Sequence, residues 1–398
     1  MEIYVISSTS CFGYCGWNGK IAAVTNGSGL VTAYAYDVMD RVTNIAWTAT
    51  DGTPLGGFSY AYDAIGRIVS RNHSLGTNAF SRAYSYDDFD RLAADGDTAY
   101  TYDAAGNRLT MTDASGTTTY SRGAGDRFSS WTGGSYTHDT AGCVTRIMRG
   151  SDTLGLKWNG QYQLVSVTTN GAFAESYAYD ALGRRVSTTT AEDTIRHVYD
   201  GVQCIADMDE QGDVVASYTW GAGIDNLLAV TTDGATYYPL TDIQGTIWGY
   251  ADANNAIVAN FTYDAWGNIL SATSSVPVLV RNRYRFQCRE WSAATGLINF
   301  RARWYDPATG RWLSKDPIGL GGGLNLYAFC GDDPVNSLDP YGEIGVLIPI
   351  AAPVIVAGAI VGGAYVGANI ISGAINGMAE ALRKPMGRGP SRRPGERN

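Results

Sequence analysis

The eight residues YAYDAIGR, from Tyr60 to Arg67, decide the fold of this chain. They follow the pattern aromatic-x-aromatic-Asp, then two variable residues, then Gly or Asp, with Arg or Asn soon after. The same pattern recurs as YAYDVMDR from Tyr34, YSYDDFDR from Tyr84, YTYDAAGNR from Tyr100 and YAYDALGRR from Tyr177, with weaker copies YTHDTAG from Tyr136 and FTYDAWGN from Phe261. Seven copies are too many for chance, so the pattern indicates a repeat architecture.

Each copy predicts one β-hairpin. Aromatic side chains at positions i and i+2 project from the same face of a strand. The Asp begins a turn, since its carboxylate can accept hydrogen bonds from backbone N–H groups two residues on. The Gly or Asp three residues later suits a positive φ, and the following Arg and apolar residue begin the return strand. We therefore expect antiparallel hairpins from about residue 20 to residue 310, with the Tyr-x-Tyr pairs on one surface and Asp-x-x-Gly/Asp at the turns.

Composition supports an all-β protein and argues against several classes of function. The 398 residues include 49 Gly and 26 Tyr, and only 17% are charged, which favours strands and turns. A net charge of −9 argues against a nucleic-acid-binding surface over most of the chain. The six cysteines lack the paired clusters that bind zinc, so we predict no metal and no cofactor. The first residues lack basic side chains before a short apolar stretch, so no signal peptide is predicted.

The repeats resemble the tyrosine-aspartate (YD) repeats of the Rhs family, which are shared with the C components of bacterial toxin complexes and with teneurins. The resemblance is most specific from Arg283 to Gly342, where RYRFQCREWSAATGLINFRARWYDPATGRWLSKDPIGLGGGLNLYAFCGDDPVNSLDPYG is similar to the Rhs repeat-associated core. It implies an all-β fold, in which a spiral of antiparallel β-hairpins forms a partial hollow shell and the core closes one end of it.

The repeats and the resemblance together divide the chain into four expected regions. If the chain is a fragment of a longer protein, the fragment is expected to start with the first of these regions. The regions are lead-in strands at 1–30, the YD-repeat shell at 31–280, the Rhs repeat-associated core at 281–342, and a variable tail at 343–398 that is apolar over 344–379 and basic over 383–398.

Basic residues concentrate in the core, where arginine alternates with aromatic residues at strand spacing. This alternation favours pairing with the repeat aspartates or stacking on aromatic rings over nucleic-acid binding. The arginines are Arg281, Arg283, Arg285, Arg289, Arg301, Arg303 and Arg311. The three histidines, His73, His138 and His197, lie in different repeats, and His138 is interpreted as a wall residue in place of a tyrosine.

Four Asp-Pro pairs fall within the core, and two of them are candidates for catalysis. Asp306 and Asp333 are assigned to turns, since Asp accepts backbone hydrogen bonds and Pro restricts φ. Asp316 and Asp339 match two Asp-Pro boxes that, by the resemblance, supply an aspartyl-protease-like pair, which cuts the chain just after the second box. Lys315 stands where the family usually has Arg.

The expected reaction is self-cleavage near Gly342, with the bond after Glu343 favoured. One carboxyl of the Asp316–Asp339 pair would be protonated and polarise the scissile carbonyl, while the other would be ionised and activate water. Lys315 would keep the ionised member charged or bind the developing oxyanion. The family usually has a large apolar residue where Glu343 stands, and the charge of Glu343 predicts slow or absent cleavage.

The tail changes character after the core. Residues 344–379 carry no charge and exceed the roughly 20 residues needed to span a bilayer. Three G-x3-G spacings would allow helices to approach closely in lipid. We predict a largely helical apolar tail that contacts membranes. The alternatives are an apolar hairpin packed inside the shell, or a chain from which a following toxin has been lost.

Three functions fit these features. The first is an Rhs-type polymorphic-toxin shell that encloses its C-terminal region and releases it by autoproteolysis, with an immunity protein and secretion-system components as partners. The second is a non-catalytic cell-surface or wall-associated repeat protein that binds carbohydrate or partner proteins. The third is a truncated remnant without an active toxin. The expected location is secreted or at the bacterial cell surface, with membrane association through 344–379 and no nucleic-acid partner.

Overall fold

The computed structural model describes residues 3–7, 10–15, 20–277, 279 and 282–347, which all belong to one compact unit, Met1–Gly358. These residues are almost entirely strands and turns. The strands are β1 (Ile3–Ser7), β2 (Ser10–Cys15), β3 (Lys20–Asn26), β4 (Val31–Tyr36), β5 (Val42–Thr48), β6 (Pro54–Tyr62), β7 (Ile68–Leu75), β8 (Asn78–Tyr86), β9 (Leu92–Asp95), β10 (Thr98–Tyr102), β11 (Arg108–Asp113), β12 (Gly116–Arg122), β13 (Phe128–Trp131), β14 (Gly134–His138), β15 (Val144–Arg149), β16 (Asp152–Trp158), β17 (Leu164–Thr169), β18 (Ala172–Tyr179), β19 (Arg185–Thr189), β20 (Thr194–Asp200), β21 (Gln203–Met208), β22 (Val214–Trp220), β23 (Leu227–Thr232), β24 (Ala235–Thr241), β25 (Ile247–Ala251), β26 (Ile257–Tyr263), β27 (Ile269–Ser274), β28 (Glu290–Trp291), β29 (Ile298–Phe300), β30 (Arg303–Asp306), β31 (Arg311–Trp312), β32 (Ser337–Leu338) and β33 (Val346–Leu347). Short 3-10 turns lie at Ala124–Asp126, Phe286–Cys288, Gly319–Gly322 and Cys330–Asp332.

The first 27 strands form one continuous sheet, which we call the wall. Each strand from β1 to β26 pairs antiparallel with the strand that follows it, as in a long meander. The predicted succession of hairpins is therefore confirmed. Beyond β27 the antiparallel pairing continues only in two small sheets, β28–β31 and β32–β33.

The repeats end in turns built by their aspartates. In the copy that begins at Tyr60, Oδ1 of Asp63 accepts the backbone N–H groups of Ile65 at 3.1 Å and Arg67 at 2.8 Å. Its Oδ2 accepts Nε of Arg67 at 2.7 Å, and Gly66 has a φ of 97°. These contacts confirm the predicted turn and explain the arginine, which neutralises the turn aspartate. The same contacts recur at Asp37, Asp87 and Asp180.

The second aromatic residue of most repeats donates a hydrogen bond to a backbone carbonyl of the preceding hairpin. The Tyr62 hydroxyl donates to the backbone carbonyl of Val42, the first residue of β5, at 2.6 Å. Trp158 and Trp220 replace tyrosine in two hairpins and donate through Nε1, each at 2.6 Å. One repeated contact therefore sets the spacing of neighbouring hairpins. The tyrosines that donate in the same way are Tyr36, Tyr86, Tyr102, Tyr179, Tyr199 and Tyr263.

The inner face of the wall packs against the core, residues 282–342. In β6, Tyr60 is buried and Ala61 is exposed, so the Tyr-x-Tyr pairs line one surface as predicted. One large hydrophobic cluster joins β4–β10 and β21–β27 to core rings such as Phe300 and Phe329. A second cluster joins β12–β18 to Trp304. The wall and the core thus bury their apolar faces against each other, which stabilises both.

The core arginines are held by aspartates and rings of the wall. Arg283 lies 3.4 Å from Asp207, and Arg289 lies 2.8 Å from Asp225. Arg285 stacks 4.1 Å from the ring centre of Phe261. The predicted stacking on rings is confirmed, but the predicted pairing with repeat aspartates is not, because Asp207 and Asp225 lie outside the repeat turns. Arg281 lies outside the described residues.

Most of the tail lies outside the described residues, and so does its predicted helix. The described part, residues 344–347, is exposed, and its last two residues pair with β32. Within the described ranges, the structure contains no helix with the length and apolar character required to cross a bilayer.

Candidate functional site

All four Asp-Pro pairs of the core form turns, so the turn assignment extends beyond Asp306 and Asp333. Asp316 and Asp339 differ from the other two aspartates in their side-chain partner. In each turn Oδ1 accepts a backbone N–H group: Asp306 from Ala308 at 3.1 Å, Asp316 from Ile318 at 3.0 Å, Asp333 from Asn336 at 3.2 Å and Asp339 from Glu343 at 2.9 Å.

One arginine joins Asp316 and Asp339. Nη1 of Arg303 lies 3.0 Å from Oδ2 of Asp316, and its Nη2 lies 3.1 Å from Oδ2 of Asp339. The side chains of all three residues are buried, and the guanidinium stacks 4.1 Å from the ring centre of Trp312. The structure therefore brings the two sequence-predicted aspartates together around a single buried cation.

The chain after Asp339 lies directly on this group. Nε of Arg303 donates to the carbonyl oxygen of Gly342 at 2.5 Å. Asp339 accepts the N–H group of Glu343, and the N–H group of Ile344 is also directed at its carboxylate. We call residues 342–344 the seam. Its backbone is therefore held by the same side chains that form the pair.

The other side of the seam faces Asp316. A Cβ atom on Gly322 would lie 2.2 Å from Oδ2 of Asp316 and 2.7 Å from the carbonyl oxygen of Glu343. The gap between this aspartate and the seam thus has room only for glycine. Oδ2 of Asp316 and the carbonyl oxygen of Glu343 therefore both lie against Gly322, and the N–H group of Ile344 is directed at Asp339.

Burial raises the pKa of every carboxyl group at the seam. For Asp316 and Asp339, desolvation outweighs the opposing effect of the Arg303 guanidinium. For Glu343, desolvation raises the pKa, and the charges of Asp339 and Asp316 raise it further. Backbone N–H groups of the seam favour the charged form of Asp339. The backbone N–H group of Ile318 acts in the same direction on Asp316.

Lys315 is not part of this group. Its side chain is exposed and lies beside Gly142, where a Cβ atom would be 2.8 Å from Cε of Lys315. Within the described residues, no hydrogen bond or ion pair joins Lys315 to Asp316 or Asp339. The cation that the sequence led us to expect from Lys315 is supplied instead by Arg303.

Sequence reasoning missed the role of Arg303. This arginine was grouped with six others as a structural residue, because its alternation with aromatic residues is shared by the whole block. The available signal was that two buried carboxylates require a cation. Which of the seven arginines supplies it depends on the hairpin β29–β30 and cannot be read from spacing.

The sequence pattern of the teneurin YD-shell family matches residues 28–335. This range covers most of the chain. The chain belongs to the teneurin YD-shell family. The matched YD-shell region includes the wall from β4 onward, Arg303 and Asp316, and it ends just before Asp339.

Relatives of this YD shell include named toxins and nucleases. The chain is 30% identical over 323 residues to double-stranded DNA deaminase toxin A of Burkholderia cenocepacia, covering 72% of this chain and 22% of the relative. It is 32% identical over 195 residues to the tRNA3(Ser)-specific nuclease WapA of Bacillus spizizenii, covering 47% of this chain and 8% of the relative. The chain therefore spans less than a quarter of the length of either protein.

A solved structure shares the fold. The Photorhabdus luminescens Tc holotoxin pore matches 89% of this chain with a TM-score of 0.69 and 19% sequence identity, over 19% of the matched chain. This likeness supports the all-β YD-shell fold, which had been predicted from the repeats.

A second polar cluster lies inside the YD-shell wall. Nδ1 of His197 is 2.6 Å from Asp207, and Cys204 completes a group of ligand-type atoms within 4.8 Å of one another. Nη1 of Arg283 lies 2.8 Å from the same His197 nitrogen. A metal ion there would meet a buried guanidinium, and burial raises the pKa of the Cys204 thiol to about 12. The cluster therefore fits an ion-pair network better than a metal site.

Asp332 lies where the core meets a turn of the wall. It is buried, and a Cβ atom on Gly106 would lie 2.7 Å from its Oδ2. Burial raises the pKa of Asp332 to about 7, against the opposing charges of Arg311 and Arg108. This contact is therefore the most direct source of pH-dependent stability outside the seam.

We expect the free energy of unfolding to fall as pH rises from about 5 to about 8. A carboxyl group whose pKa is raised on folding contributes stability below its unfolded pKa, and this contribution is lost as pH passes through the folded value. For Asp332 the loss is on the order of 2–3 kcal/mol. Urea unfolding of wild type and Asp332→Asn at several pH values tests this. The variant should show a flatter profile, and parallel profiles would contradict the assignment.

Proposed function

We propose that this chain is a toxin-carrier shell that cleaves itself after Glu343. The observation that carries the proposal is the buried Asp316–Arg303–Asp339 group, whose Arg303 and Asp339 hold the backbone of the seam. The family membership supports a shell, and relatives with toxin and nuclease names support a toxin-related role. The proposed cargo is the region after the seam, beginning at Ile344.

The proposed reaction is hydrolysis of the Glu343–Ile344 peptide bond. Asp316, protonated, donates a hydrogen bond to the carbonyl oxygen of Glu343 and makes its carbon more electrophilic. Asp339, ionised, takes a proton from a water molecule whose oxygen attacks that carbon. The C–N bond then breaks as Asp339 returns the proton to the nitrogen of Ile344. The products are a carboxyl group on Glu343 and an amine on Ile344.

Arg303 has two proposed tasks in this reaction. Its guanidinium lies between the two aspartates and keeps Asp339 ionised, despite the burial of both groups. Its Nε holds the carbonyl of Gly342, which fixes the residue just before the scissile carbonyl. Both tasks suit a planar guanidinium with several donors better than a lysine.

We further propose a role for each of the four regions predicted from sequence. The first leads into the shell, the second forms its wall, the third is the core that cleaves the chain, and the fourth is the tail that cleavage releases. Release implies an immunity protein and secretion-system components as partners, with the protein secreted or displayed at the cell surface. Membrane contact through 344–379 stays a prediction, to be tested by liposome flotation of the full chain against one that ends at Gly342.

We expect slow cleavage in the wild type and cleavage about tenfold faster in Glu343→Leu and Glu343→Gln. The Glu343 carboxyl is half-buried and faces both catalytic aspartates, so its charge disfavours the ionised pair. Intact mass spectrometry over time gives both the rate and the cut position.

The Gln variant is the matched control for this test, because it removes the charge but keeps the size. If Leu accelerates cleavage and Gln does not, the apolar character of Leu and not the loss of charge is responsible. A single intact species in all three proteins after prolonged incubation would refute self-cleavage.

A further inference from the structure

Three consecutive carbonyl groups, which lead into the seam and include its first residue, are held by three consecutive residues of one hairpin turn. We call residues 301–303 the clamp. The three contacts follow the same order along both segments, so the turn holds the chain at three successive residues. They are Nη1 of Arg301 to the carbonyl of Pro340, the N–H of Ala302 to the carbonyl of Tyr341 at 3.1 Å, and Nε of Arg303 to the carbonyl of Gly342 at 2.5 Å.

The clamp has a strained backbone. Phe300 and Arg303 face each other across the turn that joins β29 to β30, and Arg301 has a φ of 65°. The first residue of such a two-residue turn is ordinarily Gly, because a side chain disfavours positive φ there. An arginine at this position goes against the preference for Gly. Backbone strain of this kind persists only where contacts with the surrounding structure enforce it.

Asp225 enforces this conformation. It lies in the wall, between β22 and β23, and holds Arg301 with both oxygens, at 2.6 Å and 3.0 Å. It also accepts Nη1 of Arg289 at 2.8 Å. Asp225 itself has a φ of 57°, so two residues with positive φ meet at this contact.

We propose that Asp225 is a positioning residue for self-cleavage, acting through Arg301 on the register of the seam. This inference rests on the proposed function. Without Asp225, the Arg301 guanidinium loses its fixed direction and releases the carbonyl of Pro340. The seam can then shift relative to Asp316 and Asp339, and a displacement of about 1 Å is enough to reduce a rate strongly.

The contact has a consequence for the order of events. Asp225 belongs to the wall, whereas Arg301, Asp316 and Asp339 belong to the core. The clamp is therefore complete only after the hairpin β22–β23 has folded against the core. Cleavage therefore depends on the packing of this hairpin against the core, so a chain with an unfolded wall does not cut itself.

The first test compares Asp225→Asn with Asp233→Asn in the Glu343→Leu background. Asp233 is the matched control, because it also has a positive φ, of 51°, but is exposed and has no ion pair within the described residues. Asn tolerates positive φ, so both variants keep their backbone. We expect Asp225→Asn to cut tenfold or more slowly and at more than one bond, while Asp233→Asn matches the parent. Unchanged rate and cut position in Asp225→Asn would overturn the proposal.

The second test does not depend on cleavage. In the Asp316→Asn background, amide hydrogen exchange of residues 341–344 is compared with and without Asp225→Asn. Arg301→Gly serves as a second variant, since Gly accepts the φ of 65° but lacks the guanidinium. We expect exchange at the seam to be at least about tenfold faster in both variants, with the exchange of β29 and β30 amides unchanged. Equal exchange at the seam refutes the positioning role. Failure of the Glu343→Leu parent to cleave refutes the proposed function alone.

Discussion

Replacing either Asp316 or Asp339 by Asn, in the Glu343→Leu background, is expected to slow formation of the two fragments by at least about 100-fold. An amide cannot transfer the proton that the acid role of Asp316 or the base role of Asp339 requires. Asn keeps the size of Asp and can still accept the backbone hydrogen bonds of both turns. The loss should therefore appear in the cleavage rate, measured by intact mass, and much less in the urea midpoint.

Asp333→Asn is the matched control for this prediction. Asp333 also precedes a proline in the core and accepts a backbone N–H group, at 3.2 Å, but it does not contact Arg303. This variant should cut at the rate of its parent. If Asp316→Asn or Asp339→Asn cuts equally fast, the pair is not the catalyst, and the aspartates act only in their turns.

Gly322→Ala is expected to reduce cleavage by about 100-fold. The added Cβ atom would lie 2.2 Å from Asp316 and 2.7 Å from the carbonyl of Glu343, so the two groups must separate. Because the proposed acid has to reach that carbonyl, separation removes the contact on which the reaction depends. Cleavage by intact mass is again the measurement, in the Glu343→Leu background.

The neighbouring substitution Gly321→Ala separates this effect from a general effect of alanine in the loop. Its Cβ atom would approach nothing closer than Ile318, at 3.7 Å, which is an ordinary contact. It should cut at the parental rate. Equal cleavage by both alanine variants would show that Asp316 does not need its close approach to the seam.

Much of the wall could be predicted from the repeats, because its contacts are local. The turn at Asp63 is formed by residues within four positions, and strand alternation places Tyr60 and Tyr62 on one face. The hydrogen bond from Tyr62 to Val42 was not predicted, since it joins different repeats. This hydrogen bond recurs regularly along the sheet, so the repeat pattern also specifies contacts between neighbouring hairpins.

The candidate site was predictable only in part. Asp316 and Asp339 were identified because a resemblance to a family pointed to those two Asp-Pro boxes. From local chemistry alone they look like Asp306 and Asp333, which accept the same kind of backbone hydrogen bond. Lys315 was expected at the site from its place in sequence, but its exposed side chain lies beside Gly142.

The sequence by itself determined the hairpins, their turns and the inward face, because these depend on side-chain alternation and on contacts within a few residues. The tertiary structure alone decided that Arg303 joins the two aspartates and that Asp225 holds Arg301. These pairs lie 13 to 76 positions apart, and no periodicity in the sequence links them. They meet because the core is packed against the inner face of the wall, where burial requires each charge to find a partner.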